Sequence, residues 1–594
     1  MSPKVSASLA ALAAGMLLGQ AALAAPAEQR PLSAEDVDVV VQPSESYLIS
    51  GSAERIEVAP SIDEKSLYGA YLAGRSALYA GDGREATERL AAAAEAMPED
   101  GFLRERAFTA ALFSGDVPTA ARMAPPLNPD NPPLESLGRL AQAVEAFASD
   151  RPKEAIQRLG GRPIAFPHNV AADLLRPWAQ AAAGDWDAAL SDPPEPPGRI
   201  AELFGMLTRA QLAELNRKYD QADALYRRLV ADEVASSLFR PMYGEFLERR
   251  GRRDEAIALY DAGLQASPGE VPLLAARERA RRRARPPAPA NFREGAAQSI
   301  GFAAAAMSAQ RQSDLSLVYL RLALRIDPEL HQGWVLVGDA LEKGSDDEAA
   351  REAWGRVPAD SIYYSEARTK ILLSLQEAGE QETALAMAAE LATSRPNDVR
   401  LNVTRAELLR ANGRNEEALA VLDRVVASGR VGWRAHFLRA IALDSLDRWP
   451  EAEADLQKAL EMAPDEPEIL NYLGYAWIDR GDRVEQGMAL VQKAVAARPQ
   501  SGAMQDSLAW AHYRLGDYAK AVELLELAVG LSPADPEIND HLGDAYWRVG
   551  RRDEAGFQWN RVLSLDPDAE IKARVEQKLR EGLPPAPSQT ARTP

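Results

Sequence analysis

The chain has no cysteine among its 594 residues. That excludes disulfides, iron–sulfur clusters, thiolate zinc sites, a cysteine nucleophile and a lipidated amino-terminal cysteine. Histidine is nearly as scarce, with five residues spread along the chain and no paired-ligand spacing. A basic excess is also missing. There are 68 Lys and Arg against 88 Asp and Glu, a formal net charge of -20. Phosphate neutralisation needs an excess of cations, so nucleic acid is not an expected partner. No stretch reaches the ~18 consecutive apolar residues of a bilayer-spanning helix, so no transmembrane segment is expected in the mature chain. Metalloprotease, serine-hydrolase and P-loop signatures are absent. Gly81-Asp82-Gly83 has the look of a phosphate loop, but it follows no strand. No acid/base pair stands out among the many carboxylates. No enzyme activity, cofactor or metal is expected.

What is present starts with the two ends. Lys4, the apolar run Val5 to Gly19, and Ala22-Leu23-Ala24 before Ala25-Pro26 form a tripartite secretory signal. Residues 1–24 are read as a cleaved signal peptide and 25–66 as a disordered lead-in rich in Pro, Ser, Glu and Asp. The expected location is the periplasm. Residues 582–594 read as a disordered, proline-bearing tail.

Between the ends the chain repeats. Units start at 297, 331, 365, 399, 433, 467, 502 and 536, spaced by 34 residues with one spacing of 35. Position 20 of a unit is Ala350, Ala384, Ala418, Ala452, Ala521 or Ala555. Position 8 holds Gly338, Ala406, Ala440, Gly474, Ala509 or Gly543. Small residues at both places let two helices approach closely. Gly379, Gly413, Gly516 and Gly550 near position 15 can end the first helix in a left-handed conformation. Prolines near position 32, such as Pro396, Pro464 and Pro533, end the second. Each unit is therefore a helix–turn–helix pair that hides its apolar face only by stacking on its neighbours. A weaker series starts at 67, 101, 135, 169, 203 and 237. The phase breaks at Pro286-Pro287-Ala288-Pro289. The expected organisation is a degenerate amino-terminal array over 67–285 (about six units), a proline-rich linker over 286–296, and a regular array over 297–581 (about eight units).

This pattern resembles the tetratricopeptide repeat family, whose period is 34 residues. The resemblance implies an all-α superhelical solenoid. Residues 467–567 further resemble periplasmic tetratricopeptide adaptors of carboxyl-terminal processing proteases in Gram-negative bacteria. The segments that carry this are Leu470-Asn471-Tyr472-Leu473-Gly474-Tyr475, Asp506-Ser507-Leu508-Ala509-Trp510-Ala511-His512-Tyr513 and His541-Leu542-Gly543-Asp544-Ala545-Tyr546-Trp547. Those adaptors deliver cell-wall hydrolases to the protease. The resemblance implies a non-catalytic scaffold whose partners are a protease, a cell-wall hydrolase or an envelope assembly factor. The lipobox cysteine of such lipoproteins is missing here. The alternative is an accessory factor for envelope polysaccharide export or outer-membrane assembly.

In the tetratricopeptide family, positions 2, 5, 9 and 12 of each first helix line a concave groove. On this chain that assigns Tyr475, Asp506, Trp510, Tyr513, Asp540, Asp544 and Trp547 to a partner-binding groove. Aromatic anchors with polar surroundings are the usual make-up of binding hot spots. Such an acidic, aromatic groove suits a basic or apolar ligand, or a folded surface, better than a peptide carboxylate. Elsewhere, Arg277, Arg279, Arg281, Arg282, Arg283 and Arg285 form the one strong basic run. They are a candidate anion-binding patch. The favoured reading is a solvated helix that ends the first array, its arginine stems covering apolar surface.

Overall fold

Alanine at position 20 brings the two helices of each pair together. In the computed structural model Ala350, Ala384, Ala418, Ala452, Ala521 and Ala555 are all 0% exposed. Position 8 faces position 24 across the pair, and the two sizes compensate. A methyl group added to Gly338 would lie 2.2 Å from Trp354 Nε1, and one added to Gly543 would lie 2.4 Å from Trp559 Nε1. Gly244 stands in the same relation to Tyr260, at 2.2 Å. Where position 8 is Ala406, Ala440 or Ala509, the buried partner is the smaller Leu422, Leu456 or Leu525. The large rings also anchor a polar atom. Trp354 Nε1 donates to Asp339 at 3.1 Å, Trp559 Nε1 to Asp544 at 3.1 Å, and the Tyr260 hydroxyl to Glu248 at 2.8 Å.

The turn between the helices is left-handed at position 15. Gly379, Gly413, Gly516 and Gly550 have φ of 79, 71, 87 and 85. Units without glycine there adopt the same conformation through Arg311, Ser345 and Asp447, at φ 61, 62 and 57. The turn is thus a requirement of the repeat, and glycine only the least strained way to meet it.

The described residues are 67–126, 131–192, 199–232, 236–266, 270–429, 431–567 and 569–585. The signal peptide, the lead-in up to residue 66, Pro193 to Pro197 and tail residues 586–594 lie outside them. Among the described residues there are thirty helices and no strand. They form an all-α solenoid of stacked helix pairs. Contacts divide the chain into two units, one up to Ser374 and one from Leu375.

In the first unit, helices Gly101–Ser114, Pro132–Ala148, His168–Ala182 and Arg199–Leu215 are first helices of successive pairs. The chain then passes through Pro286-Pro287-Ala288-Pro289, where Arg249 Nη1 donates to the Pro287 carbonyl at 3.1 Å. Helix Phe292–Ala309 follows, opened by a capping box between Asn291 and Glu294. It does not lead away from the preceding helices. Trp178 Nε1 donates to Ser299 Oγ at 2.9 Å, and the Phe204 and Phe302 rings stack 4.1 Å apart. A methyl on Gly295 would lie 2.0 Å from the Trp178 ring. Its partner helix Ser313–Ile326 continues the return. Tyr319 and His168 Nδ1 hydrogen-bond at 2.8 Å, and Arg325 pairs with Glu145 at 2.8 Å. The stretch 286–296, expected to link two arrays, lies inside the first unit and turns the next helix pair back onto the first helices.

In the second unit the pairs are Val399–Ala411 with Asn415–Ala427, Trp433–Asp444 with Trp449–Met462, and Pro467–Arg480 with Val484–Ala497. Gly502–Leu515 with Tyr518–Leu531 and Pro536–Arg548 with Arg552–Ser564 complete the run. Their first helices begin where the 34-residue frame puts them. Asp398, Ser501 and Asp535 cap them by accepting backbone N–H bonds. Helix Ala569–Glu581 closes the stack with Val575 fully buried against Trp559 and its neighbours.

Candidate partner-binding groove

The groove positions of the last three pairs carry a row of rings. Trp510 stacks on Tyr513, with centroids 4.5 Å apart and planes 6° from parallel. Its other contact is the imidazole of His541, stacked at 4.0 Å. Trp510 Nε1 donates to Asp479 at 3.3 Å. The Tyr513 hydroxyl accepts from Arg548 Nε at 3.0 Å. Burial, with the Asp544 charge adding, pushes the Tyr513 phenol up to about 12. Trp547 sits 5.5 Å from Trp559 and lies under the Arg552 guanidinium. The Tyr475 hydroxyl donates to Glu537 at 3.2 Å, and burial raises its pKa above the usual phenol value. Tyr475, Trp510, Tyr513 and Trp547 are each half-buried, with part of the ring left to solvent.

The three aspartates are placed differently from the rings. Asp506, Asp540 and Asp544 are buried, Asp540 to 1%. Each has partners inside the protein. Asp506 accepts His541 Nδ1 at 2.9 Å. Asp540 pairs with Lys578 Nζ at 2.7 Å and Arg574 Nε at 3.1 Å. Asp544 pairs with the same Lys578 at 2.7 Å and accepts from Trp559. Burial raises the Asp544 carboxyl above its usual range, against the pull of Lys578. The negative charge expected on the groove surface is neutralised beneath it. Exposed carboxylate remains at Asp479 and Glu537 on the edge of the row. The exposed part of the row is chiefly aromatic.

Contributors outside positions 2, 5, 9 and 12 include His541, Asp479, Arg548, Arg552, Arg574 and Lys578. The first had a signal in the sequence. Asp506 and His541 are 35 residues apart, one repeat plus one residue, and that spacing brings neighbouring first helices into register. Lys578 belongs to the closing helix, where no repeat pattern applies.

The basic run is largely satisfied within the chain. Arg279 reaches buried Glu248 at 2.7 Å. Arg277 and Arg281 both reach Asp261, each at 3.2 Å, and Arg282 pairs with Glu278 at 2.6 Å. Arg283 and Arg285 are exposed, past the end of helix Val271–Arg281. Among the described residues, no group of three or more His, Cys, Asp or Glu could hold a metal ion, and no helix is long and apolar enough to cross a membrane.

Comparison with known proteins follows the same outline. The tetratricopeptide repeat model matches residues 207–271, 370–432, 403–467, 437–502 and 507–570. A TPR repeat-containing protein of Pseudomonas aeruginosa is 27% identical over 211 residues. The match covers 35% of this chain and 35% of that relative's length. Among solved structures, the APC/C hetero-tetramer Cut9–Hcn1 is similar over 88% of this chain and 97% of that one, at 13% identity and a TM-score of 0.39. A tetratricopeptide repeat protein from Parabacteroides merdae covers 42% of this chain and 97% of its own, at 15% identity and a TM-score of 0.34.

Proposed function

We propose that the chain is a tetratricopeptide-repeat protein acting as a non-catalytic scaffold that holds a protein partner on the ring row of its second unit. The observation that carries this is the contrast between two sets of first helices. Those of the first unit, from Gly101 to Leu215, are packed against helices Phe292–Ala309 and Ser313–Ile326. Those around Trp510, Tyr513 and Trp547 keep half-buried rings, with their aspartates already paired. Half-buried aromatic rings are the side chains that most often dominate binding energy. The signal-like first 25 residues support a periplasmic site of action. The segments resembling protease adaptors support a role in presenting cell-wall hydrolases to a carboxyl-terminal processing protease.

The test is affinity capture from envelope extract with the natural chain and with Trp510→Ala/Trp547→Ala. A protease or hydrolase retained by the first and lost by the second, with helix content unchanged by circular dichroism, is the expected result. Equal capture by both removes the groove assignment. Recovery of polysaccharide-export or outer-membrane assembly proteins instead moves the scaffold to that machinery.

A further inference from the structure

Two neighbouring pairs of the second unit carry an arginine at position 7, and one of the two lacks its acids. In the pair that starts at Trp433, Arg439 grips Asp455 with two bonds, of 2.5 and 2.8 Å. It also reaches Asp423 of the preceding pair at 3.1 Å. His436 Nδ1 lies 2.8 Å from the same Asp455. One 34-residue period earlier the corresponding residues are Arg405, Val421, Ala389 and Asn402. Both carboxylates are replaced by apolar side chains. Asn402 donates instead to the Pro396 and Asp398 carbonyls. Among the described residues, half-buried Arg405 makes no hydrogen bond and no ion pair. Glu417 feels its charge but is held by Arg414 at 2.6 Å.

A cleft opens beside that arginine. It has a volume of about 780 Å³ and lies between the ends of helices Gln381–Ser394 and Asn415–Ala427 and the start of Val399–Ala411. Arg405 and Arg424 line it together with Ala392, Val399, Val421 and Val425. Asp398, also in the lining, is taken up in capping helix Val399–Ala411, where it accepts the Leu401 amide at 3.1 Å. Such a volume is ordinary for a small-ligand site. The side chains come from positions 7, 23, 26 and 27 of the pair, so the cleft is separate from the ring row. A guanidinium against valine walls is poorly hydrated, and its planar fork matches the two oxygens of a carboxylate. The walls in turn suit an alkyl group beside that carboxylate. We propose that this cleft is a second binding site, which takes a carboxylate carried on an apolar body. Arg405 is its bidentate partner, and the exposed Arg424 adds positive charge. The bound carboxylate stands where Asp455 stands in the next pair. A glutamate among apolar residues of a protein segment and a free alkyl carboxylic acid both offer this chemistry.

The first test needs no ligand. Val421→Asp returns a carboxylate to the place beside Arg405. Urea unfolding should show it at least ~10-fold better tolerated, in the folding equilibrium constant, with Arg405 present than in an Arg405→Gln background. An equal cost in both backgrounds overturns the geometry. The second test titrates two probes into the full chain by calorimetry. One is a tripeptide of leucine, glutamate and valine with both ends blocked, and the other is hexanoate. Binding of the peptide alone assigns the site to a protein segment, and binding of hexanoate assigns it to a free acid. Whichever binds should weaken at least ~10-fold in Arg405→Gln and in Val421→Asp. Glutamine in place of the peptide's glutamate should weaken it as much. Trp510→Ala/Trp547→Ala should leave binding unchanged. No binding of either probe overturns the proposal, as does affinity that survives Arg405→Gln. Should Val421→Asp reduce the helical signal, Arg405→Gln and the glutamine peptide carry the test without it.

Discussion

His541 Nδ1 lies 2.9 and 3.1 Å from the two carboxylate oxygens of Asp506, beneath the face of Trp510. Burial opposes a charge on the imidazole, but Asp506, with Glu537 and Asp540 nearby, outweighs it and raises the pKa from 6.5 to about 9. A group whose folded pKa is raised contributes stability that is fully present below its unfolded value and lost as pH rises through the folded one. The pair should therefore stabilise the second unit up to about pH 6.5, with the contribution gone above about pH 9 and a ceiling of ~3 kcal/mol. Urea midpoints for the natural chain and His541→Gln should converge across that window. A constant gap between them counts against the ion pair.

Glycines in the second unit should respond to alanine with opposite signs. Gly543→Ala drives a methyl into Trp559 and should cost about 1–3 kcal/mol. Gly556, also helical, has nothing within 4 Å of its added methyl. Gly556→Ala should stabilise by roughly 0.5–1 kcal/mol. Denaturant midpoints of the two variants on either side of the parent would establish the packing rule. Shifts in the same direction would remove it.

The position-15 turn makes a paired prediction. Gly516→Ala places a side chain at φ 87 and should destabilise by ~1 kcal/mol. Asp447→Gly relieves a non-glycine residue at φ 57 and should be neutral or stabilising despite the added chain entropy. Thermal unfolding of both variants is sufficient. A marked loss on Asp447→Gly would mean that the aspartate side chain itself holds the turn.

Lys578 bridges two buried carboxylates, Asp540 and Asp544, at 2.7 Å each. Lys578→Met leaves both with one fewer partner and should cost about 3–5 kcal/mol. Adding Asp540→Asn and Asp544→Asn should restore much of that loss, because no carboxylate is then left short of a counter-charge. Chemical denaturation of the single and triple variants provides the comparison, and a triple variant no better than the single one contradicts the account.

The repeat geometry could be read from the sequence because its causes are local. Ala452 must be small, and Asp447 must turn left-handed, whatever the neighbouring pair contains. The return of helix Phe292–Ala309 was harder to read. Pro286 and Pro287 announce a break but not its direction. The available clue lay further on, in Gly295 to Met307, where small and apolar residues run round the whole helix. A helix with no polar face belongs in an interior. The groove rings were legible from their repeat positions. The fate of Asp540 and Asp544 was not, because it depends on Lys578 and Arg574 of a helix that obeys no repeat.

Helix Ala569–Glu581 also bears on assembly. A stack of identical pairs has two ends, and an unmodified end offers any other copy the surface on which its own next pair sits, the starting condition for a growing filament. Here the last such surface is taken by Val575, Ile571 and Leu579 on the inner side of that helix. Its outer side presents Lys572, Gln577, Arg580 and Glu581 to water. The surface on which a further pair would stack is thus covered by a helix whose outward side is polar, the arrangement that keeps the end of a repeat array soluble.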